Sequence, residues 1–207
     1  MAHPQARPTQ LEIIDFTPVP KTTKRLFEDR DGSGAPVLRP VHFDVTSVEA
    51  AAEVDYSGAI DDAVALADQY FALQAAVIGG RVANHRWTLL QVPETYGDPL
   101  ISDLAGLPDE SLKLGVFVEP IVGKPLANHS LDEPHWPEHA DLIADANEEL
   151  KAFGMNHLRR YGWNMWDSGR ARQFMTAVPL EEFNKVNHVA ELNPVFVDFD
   201  FFQRFEG

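Results

Sequence analysis

SGAIDDAVALADQYFALQAAVIGG, residues 57–80, carries the strongest periodic signal in the chain and decides the reading of its fold. Ile60, Ala63, Val64, Ala67, Tyr70, Phe71, Val77 and Ile78 recur at the three-and-four spacing of one helix face. Ser57 is suited to cap the N-terminus of such a helix. Gly79-Gly80 is suited to end or bend it, since glycine reaches left-handed φ without steric cost. The second half is apolar nearly all round, which predicts deep burial.

Strand signals flank this helix. Residues 11–16 read as a strand stopped by Pro18 and Pro20, and residues 37–45 as a strand interrupted at Pro40, the mark of an edge or a bulge. Residues 86–92 read as a strand closed by Pro93, and residues 112–122 as a strand region broken by Pro120. A second helix is predicted from Pro137, because proline suits a first helical turn. His139, Ile143, Ala146, Leu150, Phe153 and His157 share one face of it, and Gly154 weakens its last turns. Asp167 or Ser168 is placed to cap a short helix through Met175, and Pro179 to open another over residues 180–192. In residues 195–201, Val195, Val197, Phe199 and Phe201 alternate with Asp198 and Asp200, which is a strand signature. Helices and strands mix without a regular βαβ rhythm, so the expected class is α+β. The expectation is a single domain with two long helices packed on a mixed or antiparallel sheet. Residues 1–10 form an N-terminal arm, residues 11–194 the domain, and residues 195–207 a C-terminal aromatic strand or tail.

Composition narrows the function classes. The 207 residues carry a net charge of −15, from 32 acidic and 17 basic residues. Protonating all eight histidines still leaves it about −7. Such a field repels phosphate backbones and anionic lipid, so neither nucleic-acid nor membrane partners are expected. Absence of cysteine excludes disulfides, zinc–thiolate sites and thiol nucleophiles. No signal peptide is visible in MAHPQARP, and an intracellular, cytoplasmic or virion location is expected. There is no Gly-x-Ser-x-Gly, no phosphate-binding loop and no dinucleotide fingerprint.

Four places carry chemically capable groups. The densest is Asn128-His129-Ser130-Leu131-Asp132-Glu133-Pro134-His135-Trp136-Pro137-Glu138-His139, with three histidines and three carboxylates. His135, Glu138 and His139 resemble in letters the inverted zinc-peptidase motif, which implies a metal-dependent hydrolase or oxygenase, completed by a further histidine such as His42, His85 or His129. Pro137 works against it: proline tolerates only a first helical turn, so His135 falls outside the helix and the imidazoles diverge. The structural alternative is a helix entrance, with Ser130-Leu131-Asp132-Glu133 as a capping box. Next, Asp29-Arg30-Asp31-Gly32-Ser33-Gly34 resembles the first half of an EF-hand calcium loop, with Asp29, Asp31 and Ser33 as side-chain ligands. Pro40 stands where the bidentate glutamate belongs, which favours a solvated acidic turn. Trp163 and Trp166, close behind Arg159 and Arg160, suit an interface, a small-molecule pocket or a core plug. Last, Phe199 and Phe201 belong to five phenylalanines in residues 195–205 that must be covered by the domain or by a partner.

The expectation is therefore a non-enzymatic structural subunit, assembling with other protein subunits as a homo- or hetero-oligomer, as in a virion or another large complex. A metal-dependent enzyme built on His135, Glu138 and His139 is the alternative, and a small-molecule binding module around Trp163 and Trp166 a third. The sequence implies no particular cofactor.

Overall fold

The computed structural model describes residues 10–15, 34–41, 56–93, 112–127, 137–161, 170–176 and 186–199. Asp29, Asp31, Ser33, His42, His129, His135, Trp163, Trp166, Phe201, the capping box at residues 130–133 and most of the arm lie outside them.

Mixed helix and strand content makes this an α+β protein. Helix α1 spans Tyr56–Val77 and helix α2 spans Ala140–Tyr161. The strands are β1 (Ile13–Asp15), β2 (Val37–Pro40), β3 (Arg81–Val82), β4 (His85–Gln91), β5 (Leu112–Val118), β6 (Lys124–Pro125), β7 (Phe174–Thr176) and β8 (Val195–Phe196). They divide between two sheets, ordered β1-β4-β5-β2 and β3-β8-β7-β6.

The first sheet is built on the antiparallel pair β4–β5, in register from His85 opposite Val118 to Gln91 opposite Leu112. All of β5 except Phe117 is buried, so both of its faces are covered. The strand ends at Val118, earlier than the sequence predicts. The Glu119 N–H still bonds the carbonyl of Asn84, the next partner in register, at 2.9 Å, but the Asn84 N–H turns to the Glu119 carboxylate at 3.0 Å, and Pro120 has no N–H to continue with. Pro40 ends β2 at the sheet's outer edge, where a missing donor costs least. Strand β1 lies parallel to β4 at the opposite edge.

Ser57 lies inside α1, which begins one residue earlier. The helix ends in a Schellman turn: the Gly79 N–H bonds Ala76 O at 3.1 Å and the Gly80 N–H bonds Ala75 O at 2.8 Å, with Gly79 at φ +68. Its buried face is Ile60, Val64, Ala67, Tyr70, Phe71, Gln74, Ala75 and Ile78. The all-round burial predicted for the second half does not hold, because Ala72, Leu73 and Ala76 are exposed. Alanine at two of these three positions keeps the outer face inexpensive, and alanine is the best helix former.

Pro137 opens a single 3-10 turn, Pro137–His139, which runs into α2. Ile143, Ala146 and Leu150 are buried against the core, and the helix continues past Gly154 to Tyr161. Tyr70 of α1 meets Phe153 of α2, with ring centroids 5.4 Å apart.

Three expectations in the last third of the chain fail. The short helix through Met175 is a 3-10 turn, Ala171–Gln173, followed by strand β7. Phe174 and Thr176 are good strand formers. They pair with β8 on one side and β6 on the other. Of the helix expected over residues 180–192, the described part from residue 186 holds no α-helix: His188 is extended at φ −136, ψ 142, and only a 3-10 turn, Val189–Leu192, follows. The C-terminal strand is two residues long. Its alternation did not mark a half-exposed strand, since Val195, Phe196, Val197 and Phe199 are all buried.

The two sheets and both helices share one apolar cluster. Phe196 stacks on Phe71 at 4.8 Å, and Phe199 meets Phe71 edge-on at 5.5 Å. Buried polar groups stitch the helices to the β7 region. Gln74 Nε2 donates to Gln173 Oε1 at 3.0 Å, and the Ala171 N–H donates to Asn147 Oδ1 at 3.0 Å. The Thr176 hydroxyl donates to the Leu192 carbonyl.

Candidate functional site

The most concentrated polar chemistry among the described residues joins α1 to the start of β4. A strand sends alternate side chains to one face, so His85 and Trp87 project together. Opposite them stands Asp68, beside Ala67 on the buried side of α1. Its Oδ1 accepts from Trp87 Nε1 at 2.8 Å and lies 2.9 Å from His85 Nε2. The other imidazole nitrogen, Nδ1, lies 2.8 Å from the Ala83 carbonyl. The Phe199 ring closes the far side, 4.5 Å from the His85 ring and 5.9 Å from Trp87.

Both neighbours of the imidazole are acceptors, so a proton on each nitrogen satisfies both contacts. Burial, the largest influence, pushes the His85 pKa down. The Asp68 hydrogen bond, the Ala83 carbonyl and the Asp68 charge together outweigh it, and the net direction is up from 6.5.

Beside this node is an open cleft of about 420 Å³, lined by Pro36, Asn84, His85, Arg86, Phe117 and Glu119. Its charges are paired within the chain. Glu119 takes the Arg81 guanidinium at 2.5 Å, the Asn84 N–H at 3.0 Å and the Asn84 side-chain amide at 2.9 Å. Burial pushes its pKa up, but these bonds and the Arg81 charge prevail and hold it below the ordinary glutamate value. Arg86 bonds Glu12 at 2.8 Å and lies over the Phe117 ring, 4.6 Å from its centroid.

This arrangement holds protons and orders charges. Each imidazole nitrogen is already committed, so His85 offers neither a free base nor a free ligand atom in this geometry. The histidine named as a further metal ligand in the enzyme alternative is thus an internal tie.

Of the sequence-predicted site residues, Glu138 is exposed and His139 half-buried, in the 3-10 turn that opens α2. They are chain neighbours at a helix entrance, as Pro137 implied. Among the described residues, no three histidine or carboxylate side chains group closely enough to hold a metal. Phe199 is 1% exposed and covered by residues of its own chain.

Sequence reasoning missed the Asp68–His85–Trp87 node. The local signal was slight: Asp68 flanks the buried stripe of α1, but its side chain is 40% exposed and does not by itself demand a partner. The partner's identity depends on how α1 lies over β4.

No family model, no curated protein and no solved structure matches this chain. Among the described residues, no helix is long and apolar enough to cross a membrane.

Proposed function

We propose that the chain is a non-enzymatic structural subunit, which assembles with other protein subunits into a virion or another large complex. The observation that carries this reading is how the root of the N-terminal arm is fixed. Residues 10–15 run along the edge of the first sheet. The Glu12 carbonyl accepts from the Leu89 N–H and the Thr88 hydroxyl, each at 2.8 Å. The Glu12 carboxylate takes Arg86 at 2.8 Å, and the Gln10 N–H bonds Asp61 at 3.0 Å. Ile13 in the same strand is 54% exposed. An arm anchored at a fixed point on a sheet edge, with an apolar side chain beside it, suits reach toward a neighbouring subunit by strand addition or contact.

Commitment of both His85 nitrogens to internal acceptors weighs on the same side, because a catalytic imidazole needs one nitrogen for its substrate. The strongly negative charge favours protein partners with basic surfaces over nucleic acid or anionic lipid.

Limited proteolysis of the full chain tests the arm's role. At high protein concentration, residues 1–10 are expected to resist cleavage at Arg7. After dilution to the point of dissociation, or in mild urea, the same bond is expected to be cut at least about tenfold faster. Equal cleavage rates in both conditions contradict the reading. Stoichiometric transition metal in the purified protein, lost in His139→Ala, would favour the enzyme alternative instead.

A further inference from the structure

We propose that His85 is a proton-operated latch. As an imidazolium it ties α1 to the β3–β4 turn and seats Phe199, and loss of one proton opens that tie.

The argument is geometric. Ala83 O and Asp68 Oδ1 face the two ring nitrogens at 2.8 and 2.9 Å, and neither oxygen has a proton to give. A neutral imidazole carries one N–H. Whichever nitrogen loses its proton then points a lone pair at an oxygen lone pair inside hydrogen-bond distance. Turning the ring over about Cβ–Cγ puts Cδ2 and Cε1 where the two nitrogens stood, so it restores neither hydrogen bond.

The surroundings leave few ways to relax. Ala83 is held because its own N–H donates to the Phe196 carbonyl at 2.9 Å. Asp68 is held by the Trp87 indole at 2.8 Å. The Asp68 carboxylate, 40% exposed, keeps some freedom, but the ring is only 16% exposed and Phe199 packs directly on it. Opening of the latch is thereby passed to residues 197–199 and to the contact between α1 and β4.

The charges around the ring come from every packed element. Asp68 faces it from α1. Arg86, on its own strand, is paired with Glu12 of β1. Glu119, at the end of β5, is paired with Arg81 of β3. Asp198 precedes Phe199 in the C-terminal segment, and the residue opposite His85 on β5 is the uncharged Val118. Asp68 alone makes a direct contact with the ring among these groups.

The sign follows from the direction of the shift. His85 holds its proton more tightly folded than unfolded, so its contribution is complete below 6.5, the unfolded value. It is lost as pH rises through the higher folded value. Within that window the folding constant falls by up to about tenfold per pH unit.

The full chain serves for the test. Histidine ring C–H resonances are followed by NMR from about pH 5 to about pH 9. His85 is assigned by the signal missing in His85→Gln. The expected results are a His85 midpoint above 6.5, a Trp87 indole N–H that shifts with the same midpoint, and a lowered midpoint in Asp68→Asn. Urea unfolding is expected to show a steeper loss of stability with rising pH in the wild type than in His85→Gln. If that variant does not fold, His85 is assigned as the histidine signal that Asp68→Asn displaces most, and the wild-type and Asp68→Asn titrations decide alone. A His85 midpoint at or below 6.5, or an indole signal indifferent to it, overturns the latch.

Discussion

Replacing Phe199 by alanine is expected to cost about 3–5 kcal/mol of folding stability, the range for a large buried aromatic. The ring lies among Phe71 at 5.5 Å, Phe196 at 5.7 Å, Trp87 at 5.9 Å and His85 at 4.5 Å. Its removal leaves a cavity bounded by side chains of both sheets and α1, which share one core. The neighbours are fixed by their own contacts: Phe196 by its ladder to β7, His85 and Trp87 by Asp68. Collapse into the hole is therefore limited, and the loss falls in the upper part of the range. Urea denaturation at one fixed protein concentration measures it, with a lowered midpoint and an unchanged slope. Had Phe199 served mainly to contact another subunit, the substitution would change the assembled mass and leave the chain's own stability within about 0.5 kcal/mol.

Gly80→Ala is expected to destabilise by about 3 kcal/mol, the top of the range for overpacking. A Cβ at residue 80 would sit 2.5 Å from the Pro194 carbonyl oxygen and 3.1 Å from Pro194 Cγ. That oxygen cannot easily retreat, because it accepts the Arg81 N–H at 3.0 Å at the start of the β3–β8 pairing. Gly115→Ala is the comparison. Its Cβ would come within 2.6 Å of Leu90, but only of side-chain atoms, where the Gly80 clash is with a hydrogen-bonded backbone oxygen. Thermal unfolding is expected to rank Gly80→Ala well below Gly115→Ala. The reverse order would mean that β3 and β8 are not held together at Pro194 as tightly as described.

Legibility in the sequence followed the range of the interactions. Helix α1 was readable because its apolar period and its Gly79-Gly80 stop are local, and the Schellman turn uses those two glycines. The helical entrance at Pro137 and the edge position of the strand that holds Pro40 were readable for the same reason, since proline acts on its own backbone. Strand β7 was not. Three residues acquire strand geometry only because residues 124–125 and 195–196 lie on either side of them. The alternation in residues 195–199 misled because it assumes one wet face, and only Asp198 among them is partly exposed while Phe196 is buried with the rest. The division into two sheets likewise rests on pairings between distant segments, such as Arg81 with Val195. At the candidate site, the histidine-rich run stood out because its groups are adjacent in sequence. Asp68 and His85 are 17 residues apart on different elements, and only the packing of α1 on β4 brings them together.

The proposed role stands on association, so the mass of the full chain in solution is its most direct test. Sedimentation equilibrium over roughly a hundredfold range of concentration, at a pH below 6.5 where His85 is protonated, separates the outcomes. A structural subunit is predicted to give one mass, a fixed multiple of 23.1 kDa, across that range. A single 23.1 kDa species at every concentration, with Arg7 protected from protease throughout, would contradict the account.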